Sequence, residues 1–478
     1  MKKFSLILFL AFLAVSVSAE TVHTVEAGEQ RIEVNSSIGL ECTDRCPVNS
    51  WKFSYTLPDD SRVISVSDSL GQIEDYNLDG TNLEIETNEG APRREEKLEI
   101  NYVIETSPTV ENGLYMRSIS FPGFQDEQNS GKLRVDNLLS GRTTHGFQTS
   151  FNNDNLNFTG EGPVQVNFNF GQGLESSYYE FFSTPGIESN VNQSEDAYEV
   201  ALGFVNNQNR FERIPVLIYG ESYNTQGLEW SAGEYRAGTV RVKSSEEMRP
   251  VLAHETVHSL NDPLLNWDRT SSDWFDEGTA RHVESLMRKQ LYRNGETDRR
   301  PADLFGEDIS YTDFDEGLDY TVSSKGDREE LWNYYRDNRS FMMDWTPRNG
   351  NRDFGYAYSE LIIKNFLING GDLQGLYSEV DPGRVVESND EKWNIYSNHM
   401  DLTPCKSNSR TEFDRCLDRI NEHDFPVRKA SPIDGPGSTI DVRDVELPER
   451  EHTWEDELNL WFQKIEEIIQ RVVELWRS

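Results

Sequence analysis

"HETVHSLNDP", residues 254–263, is the stretch on which the reading of this chain turns. His254 and His258 are four positions apart, so on a helix they lie one turn apart on one face and their imidazoles can reach one metal ion together. Glu255 is rotated about 100° around the axis from His254. That sets it beside the ligands but off the metal, where a base can take a proton from water. Two ligands are too few for zinc, so a third must come from elsewhere in the chain. The competing reading is an ordinary helix carrying two histidines by chance, in a chain that has only eight.

The next helical stretch weighs against chance. "WFDEGTARHVE" opens at Trp274, and Glu277 follows His258 with 18 residues between them. The connecting "SLNDPLLNWDRTSSDWFD" can reverse the chain and lay the second helix beside the first. Glu277 could then complete a two-histidine, one-glutamate site that keeps a position open for water.

With these residues in view, the sequence resembles the gluzincin (thermolysin-like, MA-clan type) zinc metallopeptidases. The resemblance rests on H-E-x-x-H, 18 residues, and a glutamate inside W-x-x-E-G-x-A-x-x-x-E, matched here by Trp274, Glu277, Gly278, Ala280 and Glu284. It covers residues 177–375 or so. It includes "GTVRV", 238–242, which stands where the family's substrate-binding edge strand precedes the zinc helix. The resemblance implies Zn2+ held by His254, His258 and Glu277, with Glu255 as general base for peptide hydrolysis. Glu284 would orient a ligand; a solvated surface glutamate is its alternative. Many gluzincins also donate a hydrogen bond to the tetrahedral intermediate from a Tyr or His. Tyr358 and Tyr356, in "FGYAYSELIIK", are the candidates for that role, with packing as the alternative for each. His282 is weaker, because it points off the ligand face.

Two departures from the family pattern matter. The G-x-M-E-N stretch with which the aminopeptidase branch binds a free amine is not found. "GLEWSAGEY" offers Glu229 and Glu234 nearby, but nothing in the sequence marks them as amine ligands. Position 281 is Arg, where thermolysin has an acid. An endopeptidase is therefore expected ahead of an aminopeptidase.

The chain has 478 residues, ample for several domains and a real hydrophobic core. It carries 84 acidic against 46 basic residues, a net charge of −38. Such a chain repels nucleic acid and anionic membranes. The acid is spread along the whole sequence, and arginine outnumbers lysine 33 to 13. A surface adapted to high salt is expected, with a merely solubilising surface as the plainer reading. The opening "MKKFSLILFLAFLAVSVSAE" has a basic start, an apolar run and small residues at Val17-Ser18-Ala19. This reads as a secretory signal peptide, residues 1–19, cut after Ala19. The apolar run is short for an uncleaved anchor, and no other stretch is long and apolar enough to span a bilayer. The four cysteines form two local pairs, Cys42 with Cys46 and Cys405 with Cys416, expected as disulfides in an exported protein. A four-cysteine zinc site lacks its usual spacings. N-x-S/T sequons start at Asn35, Asn157, Asn192 and Asn338.

The predicted fold is α+β and multidomain. Residues 20–173 read as a β-sandwich-like domain, since "WKFSYTL", "RVISVS", "NLEIET", "KLEINYVIET" and "VQVNFNF" alternate in short runs between turn residues. Residues 174–430 read as a mainly helical, thermolysin-like peptidase domain with a small sheet. Its zinc helix is expected to start near Ser244, where Ser244 and Glu247 have capping-box spacing, with Pro250 as a kink or the true start. Residues 431–452 read as a linker. Residues 453–478 read as an amphipathic helix through Leu458, Trp461, Ile465, Ile468, Val472 and Trp476. That helix is expected to dock on its own domain; a tether to a partner or surface is the alternative. The expected protein is secreted, or held at the cell surface, and acts on a peptide or protein substrate. Two other readings remain: a non-catalytic cell-surface binding protein that retains the fold, against which an intact Glu255 argues, and a purely structural zinc site, which would be thiolate-rich.

Overall fold

The computed structural model describes residues 17–445, apart from 43–49, 90–94, 125–126, 145, 153, 184–193, 206–212, 221–232, 237, 246–247, 262–273, 298–303, 307–325, 338–340, 348–350, 380–387 and 432–440. Most of the signal peptide, Cys46, Glu229, Asn192, Asn338 and the C-terminal helix lie outside the described residues. The chain divides into two compact units. One comprises Met1–Phe182, Asn209–Leu217 and Arg236–Thr239; the other comprises Ser183–Gln208, Ile218–Tyr235 and Val240–Ser478.

The first unit is built of sheets, as alternation predicts. Its largest sheet runs, from edge to edge, through Gln148–Asn152, Asn155–Glu161, Gln128–Val135, Val17–Ala27, Ile32–Cys42, Glu95–Ile104, Ser61–Asp68 and Gly71–Gln72. Neighbours are antiparallel except Val17–Ala27 with Gln128–Val135. A four-stranded sheet includes Leu114–Phe121 and Val164–Phe170, and a three-stranded one includes Lys52–Thr56 and Asn82–Glu86. In Glu95–Ile104, Leu98, Ile100 and Tyr102 are buried while Glu95 and Lys97 face water. The same period of two buries Val164, Val166, Phe168 and Phe170, and Leu83 with Ile85. These inward residues of the three sheets form one apolar core. The first strand starts at Val17, two residues ahead of the expected cleavage point, and Ala19 is buried in it.

The second unit carries eight helices among the described residues: α1 (Glu195–Leu202), α2 (Met248–Asn261), α3 (Trp274–Arg293), α4 (Arg328–Arg336), α5 (Arg352–Ile368), α6 (Leu373–Glu379), α7 (Asn389–Ser397) and α8 (Arg410–Glu422). α2 begins at Met248 rather than near Ser244, because the Ser244 N–H still donates to the Tyr219 carbonyl. Pro250 falls in the first turn of α2, where its missing N–H costs nothing. α2 is buried on every side; only Arg249 and His258 are not fully enclosed. α3 packs against α2 on one flank and α5 on the other. The crossing with α5 is close at Gly278: a Cβ there would lie 2.6 Å from the Ser359 carbonyl oxygen. α8 is tied down by the Cys405–Cys416 disulfide.

Part of the stretch read as a linker is sheet. Asp441–Val445 pairs antiparallel with Val427–Ser431, and Arg428 bonds Asp444 at 3.1 Å. Among the described residues, no helix is long and apolar enough to cross a membrane.

Candidate metal centre

A helix buried all round must find partners for every polar side chain it carries. On α2 those side chains include His254, Glu255, Thr256, His258, Ser259 and Asn261. Thr256 turns back to the Leu252 carbonyl at 2.7 Å. The two histidines find theirs on α3. His254 donates through Nδ1 to Glu284 Oε2 at 3.0 Å, and His258 donates through Nδ1 to a carboxylate oxygen of Asp276. Asn261 donates to the other oxygen of Asp276, fixing that carboxylate in turn.

Both Nδ1 atoms are thereby committed as donors, so in the neutral imidazoles both Nε2 atoms are lone-pair acceptors. They face one another at 3.1 Å. Glu277 Oε2 stands 3.3 Å from the first and 3.4 Å from the second. Two acceptors and a carboxylate oxygen this close repel unless a cation sits among them. Glu277 Oε2 is also buried with no hydrogen-bond partner. A tetrahedral zinc site with bonds of about 2.0–2.1 Å has ligand-to-ligand edges of about 3.3 Å. The three donor atoms already form one face of such a tetrahedron. The charge agrees with this. Asp276, Glu277, Glu284 and Glu255 are buried carboxylates, against the guanidiniums of Arg281 and Arg288 at Glu284. With both imidazoles neutral, as metal ligands must be, the formal excess of two negative charges suits a divalent cation. His254, His258 and Glu277 form the one such donor group among the described residues.

The side chains titrate as a strongly coupled set. Burial pushes the Glu255 carboxyl up to about 7, against the pull of His254 and His258. Burial would also raise Glu277, but in the metal-free protein the charge of His258, with His254 beside it, holds it down at about 2. Glu284 is buried too, yet Arg281 and Arg288 keep it below the usual carboxylate range. For His254, burial lowers the imidazole and the bonds to Glu277 and Glu284 outweigh it, leaving about 9.

Gly233, which opens the strand Gly233–Arg236, lies against Glu255. A Cβ on Gly233 would stand 2.9 Å from both Cγ and Oε1 of Glu255 and 2.5 Å from Val251 Cγ1, so only glycine fits without displacement. Glu234 is the next residue on that strand.

The two tyrosines of α5 part company. Tyr358 is fully buried and its hydroxyl donates to the Leu402 carbonyl at 3.0 Å, among Tyr334, Tyr335 and Phe354. The expectation of Tyr358 as an oxyanion donor is therefore corrected: its proton is committed to the core. Two residues are about 200° apart on a helix, so Tyr356 takes the other face. It packs edge-on against Trp345, and the Arg281 guanidinium carbon lies 5.2 Å from its ring centre. Burial, then the negative charge of Glu277, holds its phenol proton on. His282 points elsewhere. Its ring lies between Phe204 and Phe425, with neither nitrogen hydrogen-bonded.

Asp276, Asn261, Arg281 and Arg288 are site residues that the motif alone did not supply. Spacing could have flagged the arginines, which sit three before and four after Glu284 on one helix face.

No protein-family model matches the chain, and no curated protein matches it. Among solved structures, an M1 zinc metallopeptidase from Deinococcus radiodurans is similar at 12% identity, over 86% of this chain and 96% of that one, with a TM-score of 0.34. Native leukotriene A4 hydrolase from Saccharomyces cerevisiae is similar at 11% identity, over 80% of this chain and 65% of that one, with a TM-score of 0.36.

Proposed function

We propose that the chain is a zinc-dependent metallopeptidase. The observation that carries this reading is the triangle of His254 Nε2, His258 Nε2 and Glu277 Oε2, with edges of 3.1, 3.3 and 3.4 Å and Glu255 beside it. A bound zinc would polarise the scissile carbonyl and lower the pKa of water at the site. Glu255 takes the proton of the attacking water and passes it to the leaving amine, and its burial favours holding that proton between the two transfers. Glu284 and Asp276 hold the imidazoles in the tautomer that presents Nε2. Tyr356, its proton retained, donates to the oxyanion that forms on the carbonyl oxygen.

Two variants test the reading. Glu255→Gln should keep zinc and lose about 10²–10⁴-fold in hydrolysis of an unstructured protein. His258→Ala should lose most of its zinc by elemental analysis. A His258→Ala protein with full metal, or a Glu255→Gln protein with full activity, overturns the reading. Retained activity in the latter would leave the binding-protein alternative no better placed, because that reading predicts no hydrolysis by wild type at all.

The endopeptidase expected from the sequence is carried into the proposal; the alternative is an aminopeptidase, in which Glu234, one residue along the strand from Gly233, would pair with a substrate's free ammonium. Cleavage of a peptide and its N-acetylated twin separates the two: only an endopeptidase treats them alike.

Export is also part of the proposal. It is supported by the signal-like first 19 residues and by the Cys405–Cys416 disulfide. Cys42 is disulfide-bonded as well. A role for the C-terminal helix at a partner or surface remains a proposal on its sequence pattern alone.

A further inference from the structure

Arg281 stands where an acid was expected from the family pattern, and two contacts converge on it. Its Nη1 donates to Glu284 Oε2 at 2.8 Å. That same oxygen accepts from His254 Nδ1 at 3.0 Å. Its guanidinium carbon lies 5.2 Å from the centre of the Tyr356 ring. The side chain is only 16% exposed, so these contacts are made away from bulk water. Arg288 provides an internal comparison. It bonds the other oxygen of Glu284, Oε1, at 2.7 Å, from four residues further along α3.

We propose that Arg281 is a positioning residue that couples the orientation of His254, through Glu284, to the placement of Tyr356 on α5. The inference rests on the peptidase reading above. A planar guanidinium can serve both ends at once: its edge carries the N–H donors that fix a carboxylate, and its face attracts an aromatic ring. Lysine offers a point charge and no face. The imidazole of one metal ligand and the phenol expected to meet the oxyanion are thus held from one rigid group. Arg288 supports the carboxylate in the same way.

The test uses the full chain with Arg281→Gln, Arg281→Lys, Arg288→Gln and Tyr356→Phe, alone and in pairs. Zinc affinity is read by competition with a chromophoric chelator, the ligand field by the visible spectrum of the cobalt-loaded protein, and turnover as kcat on an unstructured protein. Arg281→Gln and Arg288→Gln should each weaken zinc about tenfold, the lower end for outer partners of metal ligands, and shift the cobalt bands. In kcat, Arg281→Gln and Tyr356→Phe should be strongly non-additive, the second change costing little once the first is made. Arg288→Gln and Tyr356→Phe should multiply independently. Arg281→Lys should recover zinc affinity without recovering the coupling to Tyr356, and it carries the test if Arg281→Gln fails to fold. Wild-type zinc affinity in Arg281→Gln, or additivity of Arg281→Lys with Tyr356→Phe, overturns the inference alone. Wild type that binds zinc and hydrolyses nothing overturns the peptidase reading, while the affinity and cobalt measurements still judge the bond from Arg281 to Glu284.

Discussion

At the residue scale, the titration pattern of the site sets opposite pH responses for the protein with and without metal. His254, raised to about 9 once its partners outweigh burial, contributes stability that is fully present below about 6.5 and is lost as pH rises through 9. His258 is raised further and follows the same sign. Glu277, depressed to about 2, contributes above about 4.5 and loses that contribution only as pH falls toward 2. Glu255, raised to about 7 by burial, acts against the fold increasingly as pH climbs from about 4.5 through 7. Chelator-treated protein should therefore lose melting temperature between pH 6 and 9. Zinc binding needs neutral imidazoles and gains over the same interval. The gap between loaded and stripped melting temperatures should widen with pH at constant salt. A gap that stays constant or narrows would show that these side chains do not share the ion.

At the scale of elements, the crossing of α3 and α5 is the joint that sets the site. Gly278→Ala would drive a methyl against the Ser359 carbonyl carbon at 2.8 Å and Ile363 Cγ1 at 3.1 Å, so one helix must move. The expected cost is about 1–3 kcal/mol in urea unfolding, together with weaker zinc binding, because Glu277 is the adjacent residue. Unchanged stability with unchanged zinc affinity would mean that the crossing relaxes freely. This joint also explains what was legible in the sequence. His254, His258 and Glu277 could be picked out because helical spacing and one short connection are local properties. The bond from Asp276 to His258 depends on how α2 and α3 meet, and no spacing encodes that. Tyr356 and Tyr358 could be separated only once α5 had an inward face. The sheets of the first unit were readable from alternation, whereas the pairing of Asp441–Val445 was obscured because the Gly- and Pro-rich sequence ahead of it reads as a linker.

At the scale of the whole molecule, charge and the two-helix metal site each make a demand. Acidic residues outnumber basic ones by 38, so exposed pairs such as Lys52 with Glu86 leave at least that many carboxylates unbalanced. Those pairs are each worth only about 0–1 kcal/mol, and salt weakens them. The unbalanced repulsion is larger, and its range falls from about 8 Å at 0.15 M salt to about 3 Å at 1 M. Melting temperature and activity should both climb from dilute buffer to molar NaCl; a flat or falling series would assign the acidity to solubility alone. The metal site reaches further. Its donors come from two helices, so a bound ion closes the chain between His258 and Glu277 and favours the folded form by mass action. If the chain is the exported peptidase proposed above, unloaded copies sharing a medium with loaded ones become their prey. Under zinc shortage a culture should then thin its own enzyme: the amount of intact protein should track zinc, while the activity of each surviving molecule holds steady.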